Sequence, residues 1–234
     1  TLNWWGDASG PSGGAVDPIT SVVASGTGDS VAANVHFSPW LGSAPPVPGQ
    51  DVVWVDDDWA GSAPNQEVEP GKFFGFNAFA DMASATTAVN SGGTVNVAPG
   101  SYSAYLTANK PVTYLGANAG VHPAVGKHPS ETVGTRGPES ILTRNYPAMV
   151  PAADNITVDG FMFTGDGGRI VDTYSDANSF HLTNCIFDNS SRGATQGVLQ
   201  FGGGSHTDML LDFNLFQDQG DHTLYLGGGP YTNL

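Results

Sequence analysis

The sequence predicts an all-β solenoid, short strands stacked turn upon turn, with one short helix near the start of the stack. Three observations predict it. First, 32 of 234 residues are Gly and 16 are Pro, while only 12% are charged. That composition suits short strands joined by many turns and leaves little material for long surface helices. Second, "ITVDGFMF" (156–163), "FHLTNCIF" (180–187) and "MLLDFNLF" (209–216) can be laid on one another, matching Val158 with Leu182 and Leu211, and Phe163 with Phe187 and Phe216. The steps of 24 and then 29 residues are those of coils whose loops vary in length. Third, one stretch alone has convincing helical spacing: in "FNAFADMASATTAVNSGG", Phe79, Met82, Thr86 and Val89 form the stripe of an amphipathic helix over 76–90, ending at Gly92-Gly93.

Taken in order, residues 1–41 read as short apolar pieces between turns, from "TLNWWGDASGPSGG" to "VAANVHFSPWLG". Pro45, Pro46 and Pro48 in "SAPPVPGQ" then make a stiff connector with little capacity for sheet hydrogen bonds, so 42–51 is assigned as a linker. Residues 52–234 form the body. It opens with the strand "DVVWVDDDWAG", broken by three aspartates, and continues through the helix into "TVNVAPGSY", "KPVTYLGANAG" and "ESILTRN". In the three matched segments, alternate apolar side chains point inward and stack about 4.8 Å apart. Thr157, His181 and Thr183 face outward. An antiparallel sandwich is the competing architecture, but these segments lack Asn-Gly hairpin turns between them.

The balance of 22 acidic to 7 basic residues, a net charge of −15, argues against a nucleic-acid partner and against attraction to anionic membranes. No apolar run approaches the roughly 18 residues that membrane insertion requires. Cys185 is the one cysteine, so no internal disulfide forms. His36, His122, His128, His181, His206 and His222 show no metal-binding spacing. "GFMFTGDGG" and "LQFGGGSH" are turns, since no helix and Lys follow them. Asp56, Asp57 and Asp58 are the densest acidic cluster and a candidate Ca²⁺ site, with a solvated strand end as the competing reading. No cofactor is required, and Ca²⁺ is the candidate ion. Asp208, Asp212, Asp218 and Asp221, with His206 and His222, are candidates for the paired carboxylates of a glycoside hydrolase. Asp212, however, occupies the outward position of Asp159 and Thr183, which a solvated face explains as well. Trp40, Trp54 and Trp59 are able to stack on sugar rings or to close the end of a core.

The string "VDDDWAG…FGFNAFADMASATTAVNSGGTVNVAPGSYSAYLTANKPVTYLGANAG…GTRGPESIL" resembles the opening of bacterial right-handed parallel β-helix proteins of the pectate-lyase-like superfamily. The likeness is close over 52–142 and looser to 234. It implies a right-handed parallel β-helix with a capping helix, in a group that spans enzymes and non-enzymatic surface repeats. Lyases of that group use carboxylate-bound Ca²⁺ and an Arg or Lys base. None of Lys72, Lys110, Lys127, Arg136, Arg144, Arg169 and Arg192 stands in a recognisable lyase motif, so no catalytic residue is assigned.

Residues 1–41 are similar to the other end of such modules: "NWWGDASGPSGG" followed by "VAANVHFSPWLG" resembles their finish. The chain thus carries a module's tail first and its head and body second. Joining two copies gives "GPYTNLTLNWWGDASGP", and 24 residues beyond Phe213 lies Asn3 of the next copy, the same step that separates Gly160 from Asn184. The expected function is therefore structural: an extracellular or cell-surface fibre of copies stacked head to tail. Leu2, Asn3, Trp4, Trp5, Tyr231 and Leu234 are expected at the junction. The alternatives are a carbohydrate-active enzyme and a monomeric carbohydrate-binding adhesin, either with a polysaccharide partner.

Overall fold

The structure is a computed structural model and describes residues 5–38, 50–103, 105–123, 135–143, 147–165, 169–173, 176–188, 198–217, 223–227 and 231–232. The chain divides into two compact units, Thr1–Pro48 and Gly49–Leu234.

The larger unit is built mainly of strands in three parallel sheets. Sheet I holds, in spatial order, Ala78–Phe79, Gln50–Val55, Val89–Val97, Val112–Leu115, Ile156–Asp159, His181–Thr183 and Leu210–Asp212. Sheet II holds Gly100–Ser103, Ser140–Thr143, Phe161–Thr164, Ile186–Asp188 and Leu215–Gln217; sheet III holds Leu106–Ala108, Met149–Pro151, Val171–Thr173, Leu199–Gly202 and Leu224–Gly227. From Val89 onward the chain passes through I, II and III in rotation, so each strand pairs with the strand of the previous round and that of the next. Among the described residues, the hairpin of Glu67–Glu69 with Lys72–Phe73 is the one antiparallel ladder between strands of this unit.

The register is the one read from the sequence. Val158 pairs with Leu182 and Leu182 with Leu211; Phe163 pairs with Phe187 and Phe187 with Phe216. The phenylalanine rings stack at 4.9 Å and 2°, then at 4.8 Å and 11°. The inward Val158, Phe163, Leu182 and Phe187 are buried, while Thr157, His181 and Thr183 lie half-buried on the outer face. Each matched segment is two strands with a corner at Gly160, Asn184 or Phe213, where φ is +78°, +52° and +52°. At Gly160 the corner also lies against the turn at 117–120: a Cβ there would stand 2.1 Å from the Ala119 nitrogen. Only glycine permits that approach.

The helix is shorter than its apolar spacing predicts, Met82–Ala88 rather than 76–90. Asp81 caps it by accepting from the Ser84 N–H at 2.7 Å. Ala78–Phe79 instead pairs with Trp54–Val55, covering an edge that would otherwise expose unpaired backbone groups. Val89 leaves the helix at φ −64°, ψ 144° and begins the strand that contains Gly92 and Gly93. Met82 and Ala85 are buried on the first rungs, closing this end of the core. Lys110 Nζ donates to the carbonyls of Thr87 and Val89, where the helix ends.

The smaller unit has its own core of Ala24, Val31 and Phe37, with Trp5, Ala15 and Val22 packed against it. Its chain returns parallel to itself at Ser12 and Ser30. The Asp29 N–H donates to the Trp5 carbonyl, and Val31 N–H to that of Ser12. Gly28 makes this approach possible, since a Cβ there would lie 2.1 Å from the Trp5 oxygen.

Phe187→Ala, which removes the middle ring of the ladder, is expected to cost about 3–5 kcal/mol in urea unfolding. Gly160→Ala is expected to lower the thermal midpoint more than Gly61→Ala, because φ is positive at both while the space around Gly61 is open. Equal shifts would place the whole cost in backbone conformation and none in the clash with Ala119.

Candidate functional site

The last described rung of the larger unit is chemically unlike those before it. Leu182, Leu199 and Phe201 are 0% exposed, yet their register partners Leu211, Leu224 and Leu226 are 36%, 42% and 42% exposed. Phe216, the last ring of the ladder, is half-buried. Leu211, Leu224 and Leu226, with Leu210, Asp212, Phe201 and Met209, line a largely apolar cavity of about 370 Å³. Leu210–Asp212, Leu215–Gln217 and Leu224–Gly227 are also the edge strands of their sheets, each presenting one row of backbone donors and acceptors without a strand beside it among the described residues. An uncovered edge of this kind is a template for a further strand.

Of the residues expected at the junction, Leu2, Asn3, Trp4 and Leu234 lie outside the described residues. Trp5 is half-buried in the smaller unit, and its buried indole N–H has no hydrogen-bond partner there. Tyr231 donates its hydroxyl to the Phe201 carbonyl at 2.7 Å and stacks on His206 at 5.4 Å, beside the last rungs.

In the smaller unit one carboxylate ties the turn that follows it to the end of the described segment. Asp17 is 1% exposed and accepts from the backbone N–H groups of Ile19, Thr20, Phe37 and Ser38 and from His36 Nδ1, all at 2.7–3.0 Å. Burial pushes its pKa upward, but the bonds from His36, Thr20, Ser38 and Ile19 together outweigh burial and hold the carboxyl well below the usual carboxylate range. Its neighbours in sequence, "AVDPIT", do not announce a hub whose partners stand nineteen to twenty-one residues away.

Asp56, Asp57 and Asp58 do come together, with carboxylate oxygens within 4.8 Å of one another. Two of them are already engaged. Asp56 accepts from the Asp58 N–H at 3.0 Å, capping a short 3₁₀ turn, and Asp57 accepts from the Ser101 N–H at 3.0 Å. Of the hydrolase candidates among the described residues, Asp208 is exposed, His206 is fully buried between Phe201 and Tyr231, and Asp212 sits on the outer face beside Thr183. Asp218, Asp221 and His222 lie outside the described residues. Arg136 is committed to a two-pronged pair with Glu139 and to the carbonyls of Asn184 and Val121. Among the described residues no helix is long and apolar enough to cross a membrane.

No family model, curated protein or solved structure matches this chain. Its function must therefore be argued from its own geometry.

Two outcomes check this description. Asp17→Ala should abolish amide-exchange protection at Ile19, Thr20, Phe37 and Ser38. In the native chain that protection should persist down to about pH 3, because a carboxyl with a depressed folded pKa contributes stability above its unfolded value and loses it only as pH falls through the folded one. Burial pushes the Cys185 thiol up to about 12, so it should resist iodoacetamide at neutral pH and react only once the chain is unfolded in urea.

Proposed function

We propose that this chain is a structural unit of an extracellular or cell-surface assembly, built by stacking copies head to tail. In this reading 52–234 is a right-handed parallel β-helix, 42–51 is a linker whose last two residues, Gln50 and Asp51, already belong to the first strand of sheet I, and residues 1–41 of one copy form the closing coils on the β-helix of the next. The observation that carries it is the contrast between the two ends of the body. Met82 and Ala85 are buried at the start of the stack, while Leu211, Leu224 and Leu226 stand open on the last described rung.

Covering those three leucines is worth about 1 kcal/mol each, and edge-strand hydrogen bonds add direction. This is strand complementation, in which the main chain supplies affinity and alternate side chains supply specificity. The proposed register is chemically consistent. Asn3 would fall at the corner where Gly160, Asn184 and Phe213 all have positive φ, and Asn is among the side chains that tolerate it best. The smaller unit also exposes Val16, Ile19, Val23 and Val35, an apolar surface for packing. Such a contact joins two different surfaces and does not close on itself, so it propagates into a filament. The copies are either separate subunits or successive repeats of one longer polypeptide. The assembly requires no cofactor; Ca²⁺ at Asp56, Asp57 and Asp58 would be an accessory to the fold.

Negative-stain electron microscopy with light scattering at roughly 10 µM is expected to show particles that lengthen with concentration. The double change Leu224→Lys with Leu226→Lys should leave monomers with an unchanged circular-dichroism spectrum, and Trp4→Ser with Trp5→Ser should shorten or abolish fibres. EDTA should leave their length unchanged. Strictly monomeric particles from the unaltered chain, with residues 1–41 folded on their own body, would refute the proposal.

A further inference from the structure

A second feature, at the opposite end of the body, points to a ligand. On the outer face of sheet I, Trp54, Asn96 and Leu115 lie in register on three neighbouring strands. Asp56 and Trp59 rise at one end of this row, and the hairpin bearing Glu69 and Lys72 folds beside it. Together they enclose a pocket of about 200 Å³. The hairpin is held firmly: Asn77 accepts from the Phe73 N–H at 2.7 Å and donates to the Gly71 carbonyl at 3.0 Å. Lys72 Nζ pairs with Glu69 at 2.6 Å and stands 5.6 Å from the Trp54 ring centre and 5.5 Å from that of Trp59.

Two polar groups lining this pocket are unspent. Among the described residues the Asn96 side-chain amide has no hydrogen-bond partner, and of the Asp56 carboxylate only one oxygen is engaged, by the Asp58 N–H. The second Asp56 oxygen is able to accept from a hydroxyl. Lys72 spends one of its three N–H donors on Glu69.

We propose that this pocket binds one ring of a neutral saccharide. A pyranose has an apolar C–H face that suits the half-exposed Trp54 indole, with the buried Trp59 behind it, and a rim of hydroxyls. Those hydroxyls donate to Asp56, exchange bonds with Asn96 and accept from Lys72. A few placed polar groups against an aromatic wall are the usual makings of such a site. The pocket is smaller than the roughly 300–1,000 Å³ that takes drug-sized ligands, so it holds one ring and leaves the rest of a chain in solvent. Charge sets the class. Asp56, Asp57, Asp58 and Glu69 outnumber Lys72 here, which repels uronates and sulfated sugars.

Tryptophan fluorescence and calorimetry on the 234-residue protein test this, with cellotetraose, mannotetraose, galactotetraose and chitotetraose at up to roughly 10 mM, and with tetragalacturonate and choline as contrasting arms. At least one neutral tetramer should give a saturable signal. Trp54→Ala should remove it, and Asn96→Ala should weaken binding about tenfold or more with the fold unchanged by circular dichroism. If Trp54→Ala does not fold, Asn96→Ala decides alone. Silence with all four neutral tetramers, undiminished binding in the variants, or a response confined to tetragalacturonate or choline would overturn the proposal. Particle length is a separate readout, so this result and that on assembly stand or fall independently.

Discussion

The register between successive rounds of chain is the constraint on which the larger unit depends. Each inward side chain is buried by the residue at the same position one round earlier and one round later. Val158, Leu182 and Leu211 form one such column and Phe163, Phe187 and Phe216 another. A slip of one residue would turn every column to the outer face. The same rule means that a stack has no self-contained end: its first and last rungs must be covered by something of a different kind. The helix Met82–Ala88 with the strand Ala78–Phe79 does this at the start. On the last described rung the rule is unmet, and the exposed leucines follow directly.

The smaller unit solves the opposite problem. It has too few apolar residues for a large core, and it substitutes a buried carboxylate for one. Asp17 gathers four backbone N–H groups and His36, thereby satisfying donors that a loop-rich segment would otherwise leave unpaired. A buried charge is tolerable only where its partners are this complete.

Much of the body was legible because periodicity and column identity are properties of sequence. The matches of Val158 with Leu182 and of Phe163 with Phe187 are visible in the sequence, and the parallel pairing agrees with them. The helix boundaries were not, because Phe79 and Val89 satisfy helical spacing but are claimed by sheet I, whose edge needed partners. Gly92 and Gly93 look like a helix stop and instead lie within a strand. Long-range polar contacts were invisible for a different reason. Asp17 with His36, and Lys72 with Trp54 and Trp59, depend on loops returning to a point, and no local pattern encodes that return.

The pairing pattern also has a mechanical meaning. Hydrogen bonds between rounds run along the direction in which the rounds stack, so a pull along that direction loads them in line and not in shear. The segment Leu224–Gly227 is held to its sheet by Leu199–Gly202 alone among the described residues. It would yield first, then expose the round beneath to the same load. A stack pulled in this way would lengthen by releasing one round at a time, each release feeding slack chain into the line.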